Sequence, residues 1–302
     1  MAVDAAVGTA TQADGRPARG GRRLPLAWLG AVPFVAYVGT FLLLPTVIVL
    51  IGAFAKHGGG ATLSNLDQLR QDYVISSFKN SVVLSGASSF IGAVVGAMLA
   101  YAIATGRPDG LLRRIVTSAC GVLAQFGGVT LAFAFLAAIG PEGLLTVLLR
   151  DRGTDIYANG VWLYQIKGLT LVYTYFQIPL MVLVFLPALD GIRPQWREAT
   201  ASLGGTTWHY WRHIAAPLLM PAFLGSALLL FANAFSAYAT AAALISQGGI
   251  IVPLQISNAL TSEVILGQEN FGKALALGMI VVVAVVMTAY VLLQRRTARW
   301  LQ

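Results

Sequence analysis

The chain has 302 residues, of which 57% are hydrophobic and only 11% charged, against roughly 25% charged in an ordinary soluble domain. Twenty basic and twelve acidic side chains, a formal net charge of +8, cannot cover a water-soluble body of this size, so lipid must cover part of it. A mean hydropathy of +0.74, with six Trp, ten Tyr and fourteen Phe, also excludes a disordered or collagen-like chain.

Residues 1–26 are rich in Gly, Ala and Arg and carry no apolar periodicity, which predicts a disordered cytoplasmic tail. The apolar stretch that follows is longer than the roughly 7 to 15 residues of a signal-peptide core and lacks a small-residue cleavage site, so it should stay as an anchor. A spanning helix needs about 20 mostly apolar residues. Six stretches meet that requirement: residues 27–54, 81–104, 115–139, 169–189, 217–238 and 274–293. The expected fold is therefore an all-α membrane protein, with residues 27–302 forming one domain of six transmembrane helices. Six crossings put both termini on one side of the bilayer. The single cysteine, Cys120, cannot form an internal disulfide and reads as a buried apolar side chain.

Lys and Arg resist translocation, so their distribution orients the chain. Arg16, Arg19, Arg22, Arg23, Arg107, Arg113, Arg114, Arg193, Arg197, Arg212, Arg295, Arg296 and Arg299 fall on the side of the termini. Lys56, Arg70, Lys79, Arg150, Arg152, Lys167 and Lys273 fall on the other, where seven acids offset them. The whole +8 thus lies on one face, predicting cytoplasmic N and C termini in a multi-pass inner-membrane protein. A nucleic-acid partner is not needed to explain the basic balance.

No cluster of acids, histidines or cysteines has the spacing of a catalytic or metal site, and no Walker A or dinucleotide fingerprint occurs. No metal or cofactor is expected, and the chain should not hydrolyse ATP itself. His209 and His213 are four residues apart but sit among Trp208, Tyr210 and Trp211, which suits an interfacial belt. The centres of the spans contain no Asp, Glu, Lys or Arg, which argues against ion-coupled transport by the chain alone.

The connection at 190–216, between the fourth and fifth spans, is long, cytoplasmic and amphipathic. Pro194 suits a helix start, Gly204 and Gly205 a break, and Thr206 or Thr207 the cap of a second short helix ending near Pro217. This segment resembles the cytoplasmic loop of permease subunits of binding-protein-dependent ATP-binding-cassette importers. Their pattern reads Glu-Ala-Ala, three residues, Gly, nine residues, Ile, one residue, Leu-Pro. Glu198, Ala199, Gly204, Ile214 and Pro217 match it, while Thr200 replaces the second Ala and Ala216 the Leu. Five fixed positions in a chain of this length match by chance on the order of 1 in 1,000 times.

The resemblance implies that residues 27–302 are a transmembrane permease domain and that 190–216 is a coupling loop. It places Glu198, Ala199, Thr200, Gly204, Ile214 and Pro217 in the docking element for a cytoplasmic ATPase subunit. It further implies a second permease subunit, identical or sister, and an extracytoplasmic solute-binding protein facing the outer loop at 246–273. The sequence of that outer loop, after 235–244, is loosely similar to permeases of the polyamine, iron and thiamine branch. A self-contained secondary carrier or channel is the rival reading, and a membrane-embedded transferase a third.

Polar residues inside spans are candidates for a solute path. Asn233, Ser236 and Thr240 recur on one helical face of the fifth span, and Tyr173 and Gln177 are four apart on the fourth. Bridging between helices is the alternative for Asn233 and Gln177. Ser85, Ser88 and Ser89 suit close helix packing, and Gln125 fits either role.

Overall fold

The structure, a computed structural model, describes residues 27–56, 60–107, 110–158, 160–245, 250–261 and 269–298. The predicted tail at 1–26 lies outside them. Among the described residues the chain is helical apart from loops and one isolated bridge between Ala55 and Ala61. The helices are α1 (Ala27–Val38), α2 (Leu44–Ala53), α3 (Ser64–Asp67), α4 (Asp72–Ala104), α5 (Leu111–Gln125), α6 (Gly128–Ile139) and α7 (Leu144–Asp151). They continue as α8 (Ile166–Asp190), α9 (Pro194–Ser202), α10 (Thr207–Tyr210), α11 (Ala216–Ser236), α12 (Ala239–Leu244), α13 (Val252–Thr261) and α14 (Glu269–Ala298).

Among the described residues, six helical stretches are long and apolar enough to cross a membrane: Ala31–Ala53, Asp72–Ala104, Gly128–Asp151, Ile166–Asp190, Thr207–Ser236 and Glu269–Leu292. The number is as expected, but two placements differ from the sequence reading. The predicted span at 115–139 is not one helix. Gly127 and Gly128 interrupt it, and Gly128 takes φ +68°, a conformation that costs any residue with a Cβ. At about 1.5 Å per residue the 15-residue α5 is only ~22 Å long, short of the roughly 30 Å hydrocarbon core. The predicted fifth span at 217–238 instead begins at Thr207 and ends at Ser236, where the backbone breaks before α12.

Residues up to Ile48 and residues from Val49 onward form two separate units. The first presents Phe34, Val35, Tyr37 and Phe41 outward. In the second, α8 is the most buried span, with 61% of its apolar window inside the protein. It packs against α4, α5 and α11. Its first half, with Leu169, Val172, Tyr173 and Phe176, joins a core with α6 and α12; its second half, from Met181 to Leu189, joins a core with α4 and α11. The tight approach of α4 to α8 rests on Gly92 and Gly96. A Cβ at Gly92 would lie 2.6 Å from that of Gln177, and one at Gly96 2.5 Å from that of Met181. Lipid supplies little hydrophobic drive between helices, so close backbone contact at small residues does the holding. Ser85, Ser88 and Ser89 are buried on the same helix.

The far end of α4 is tied to α13 by polar contacts. Asn80 donates to the Ile250 carbonyl, the Val252 amide donates to Ser81 Oγ, and Gln255 Nε2 donates to Ser77 Oγ at 2.7 Å. Pro253, expected in an open outer loop, therefore sits in a packed helix. Gly248, Gly249 and Glu263 of that loop lie outside the described residues.

Candidate functional site

Two constellations emerge. The first is a helical hairpin at the end of α8. Pro194 occupies the start of α9, where its missing N–H costs nothing. The helix ends in a Schellman arrangement: the Gly205 amide donates to the Thr200 carbonyl at 2.8 Å and the Gly204 amide to the Ala201 carbonyl at 3.0 Å. Gly204 has φ +77° and open space around it. Gly205 is closely packed, since a Cβ there would fall 2.6 Å from Thr200 Cγ2. Extended Thr206 precedes α10, and its hydroxyl pairs with His209 Nδ1.

The second leg is not the separate short helix expected to end near Pro217. α10 passes through a wide π-turn at Trp211–Ala215 directly into α11, forming one stretch from Thr207 to Ser236. Pro217 lacks an N–H, and a wide turn just before it lets the helix continue. The second leg is thus continuous with a membrane-length helix. Ala199, Thr200, Ile214 and Pro217 line a groove of about 530 Å³ between the legs, together with Trp196 and Leu203. Glu198 is exposed outside that groove, and Leu203 at the tip is 88% exposed. Leu203 is the residue that the motif alone did not single out. Trp211 meets the ring of Tyr101 edge-on at 5.2 Å, bracing the hairpin on α4, while Arg113 pairs with Asp190 at its root.

The second constellation is a polar cavity of about 360 Å³ where the two helix breaks meet, close to the midpoint of α8. Gln125, Gly127 and Gly128 line it from the α5–α6 break, and Asn233, Ser236, Ala237, Tyr238 and Thr240 from the α11–α12 break. Three of the sequence candidates, Asn233, Ser236 and Thr240, therefore share one cavity, although Thr240 belongs to the next helix and not to the face of the fifth span. The other two do not line it. Tyr173 is buried and donates its hydroxyl to the Ala237 carbonyl at 2.7 Å, pinning the break from below. Gln177 is fully buried against Gly92, and neither its oxygen nor its nitrogen has a partner. Gln125 and Tyr238 complete the lining. The Gly127-Gly128 pair was the readable signal for Gln125, since consecutive glycines inside an apolar run mark a break.

Residues 92–301 match the family model described as binding-protein-dependent transport system inner membrane component. The spermidine/putrescine transport system permease protein PotB of Haemophilus influenzae is 24% identical over 260 residues, covering 83% of this chain and 87% of that protein. The thiamine transport system permease protein ThiP of Escherichia coli is 29% identical over 117 residues, 39% of this chain but only 21% of that longer protein. Among solved structures, a bacterial ABC transporter involved in import of the acidic polysaccharide alginate superposes with a TM-score of 0.69 at 20% identity, over 91% of this chain and 95% of that one. That likeness shows a shared fold.

Proposed function

The chain belongs to the family of binding-protein-dependent transport system inner membrane components, and on that premise we infer how its two constellations divide the work of an ATP-driven importer. The protein is a multi-pass inner-membrane permease subunit, and its family consists of permeases that are not themselves ATPases. It works with a separate ATPase, a second permease and an external binding protein. Both termini and the hairpin face the cytoplasm, in keeping with the one-sided charge.

The hairpin is the docking element for the ATPase. The observation that carries this reading is the exposed tip, Glu198 to Leu203, capped by a Schellman turn and continuous with the helix Thr207–Ser236. A short rigid helix seated in a partner's cleft transmits rigid-body motion, where a loose loop would absorb it. The cavity at the helix breaks is a stage on the solute path, supported by its concentration of Gln125, Asn233, Ser236 and Thr240 in one space. Leu203→Asp should abolish co-purification of the ATPase while membrane insertion stays normal, because the side chain points into open space and supports little of the fold. Undiminished recovery of the ATPase with Leu203→Asp and with Gly204→Asp would defeat the docking assignment.

A further inference from the structure

We propose that the groove between α4 and α11, together with the pocket behind the hairpin, binds one anionic phospholipid from the leaflet on the hairpin side. An acyl chain lies along the helices and the phosphate sits at Arg197. The proposal goes beyond the permease reading and stands on neither the solute nor the ATPase.

Two cavities meet at Tyr101, Leu189 and Trp211, which line both. One is an apolar groove of about 360 Å³, walled by Met98 of α4, Phe185 of α8, and Ala216, Met220 and Phe223 of α11. The other, of about 180 Å³, is lined by Thr105, Arg197, Thr207 and Tyr210. An apolar slot that opens into a polar pocket fits an amphiphile along its whole length. A small ion would use only the pocket, and a wholly apolar ligand only the slot.

The depth is that of one leaflet. The membrane-length stretches of α4 and α8 end at Ala104 and Asp190, and that of α11 begins at Thr207, so the polar pocket lies where three spans reach the membrane surface. The slot extends to Ala97, just over two turns of α4 from Thr105, or about 12 Å, against ~15 Å for half of a hydrocarbon core. Trp211 meets Tyr101 edge-on where the cavities join, the level at which amphipathic rings favour the headgroup boundary. Met98 is 69% exposed beside the slot, and its flexible thioether can adapt to an acyl chain. Ala216 stands where the importer pattern has Leu, and the smaller side chain keeps the slot open.

Charge selects the headgroup. Among the described residues neither cavity is lined by an acid, and Arg197 belongs to neither ion pair. Asp190, next to the lining residue Leu189, is already held by Arg113. Glu198, next to Arg197 in sequence, is exposed and lines neither cavity. A phosphate would meet an unpaired guanidinium and the hydroxyls of Thr207 and Tyr210. The ammonium of a zwitterionic lipid would find no counter-charge there, so a headgroup of net negative charge is preferred.

The test uses the full chain with its co-isolating ATPase, solubilised in mild detergent and titrated with phosphatidylglycerol or phosphatidylcholine of identical chains. Bound lipid is counted by native mass spectrometry. One phosphatidylglycerol per permease chain should bind saturably, and more tightly than phosphatidylcholine. Arg197→Gln should weaken phosphatidylglycerol about fivefold, the contribution of one interfacial arginine, and leave phosphatidylcholine unchanged. Arg193→Gln, which removes an exposed charge of the same hairpin outside both cavities, should change neither. Ala216→Leu should weaken both lipids, about fourfold for each methylene displaced from the slot. Four outcomes would overturn the proposal: no preference for phosphatidylglycerol, a preference untouched by Arg197→Gln, an equal loss with Arg193→Gln, or binding of both lipids unchanged by Ala216→Leu. ATPase recovery from the same preparations reports separately on the docking assignment.

Discussion

The hairpin and the cavity are built by opposite strategies. The hairpin is largely local: residues 194–217 supply its two legs, its turn and most of its lining, and only Trp211 against Tyr101 and Arg113 against Asp190 tie it to distant residues. The cavity is assembled from two glycine- or alanine-flanked breaks more than a hundred residues apart, held by Tyr173 from a third helix. One element is therefore specified by short-range pattern and the other by packing. On the proposed reading the first serves a protein partner and the second the solute, so variants in one should leave the other's function standing.

The largest separation is expected from Gly205→Val. The new side chain would overlap Thr200, so the Schellman turn must open, and ATPase recovery in a pull-down should fall below a tenth of wild type. Gly204→Ala is the milder companion, costing about 1 kcal/mol for a positive φ, and should retain most of the ATPase. Equal losses in the two would mean that the turn geometry is not what the partner needs. In the cavity, Tyr173→Phe removes the buried hydrogen bond that pins Ala237. A destabilisation of about 1–2 kcal/mol is expected, read as a lower melting temperature, with weaker solute transport and unchanged ATPase association.

A smaller effect of opposite sign is expected from Gln177→Leu. An amide buried without partners costs roughly 1–3 kcal/mol, so an apolar side chain of similar size should raise stability by about 1 kcal/mol and leave transport intact. Loss of transport in this variant would return Gln177 to the solute path. The smallest change belongs to Asp190→Asn. It removes a partly exposed ion pair with Arg113, and such pairs contribute up to about 1 kcal/mol.

These expectations follow how much of the molecule was readable in advance. The six apolar stretches were legible because a bilayer demands length and composition, which are properties of a linear segment. The hairpin was legible because proline, paired glycines and a capping threonine act within a few residues. Its second leg was misjudged, since Pro217 reads as a stop and only the wide turn at Trp211–Ala215 lets the helix run on. The third span was misplaced for a related reason: hydropathy continues smoothly through Gly127 and Gly128 while the backbone does not. Gln177 looked like a lining residue by its spacing from Tyr173, yet its face is set by Gly92 on another helix. Thr240 was grouped with Asn233 and Ser236 by a helical periodicity that the break at Ala237 removes; it shares their cavity from the next helix.

The account depends most on the exposed tip of the hairpin facing the cytoplasm and being covered by the ATPase. A single cysteine replacing Leu203, in a Cys120→Ser background, provides the most direct measurement. In inverted membrane vesicles stripped of the ATPase, a membrane-impermeant maleimide should label it readily, and adding the ATPase back should suppress the labelling. Labelling from the outside of intact cells, or labelling in inverted vesicles that the ATPase leaves unchanged, would contradict the account.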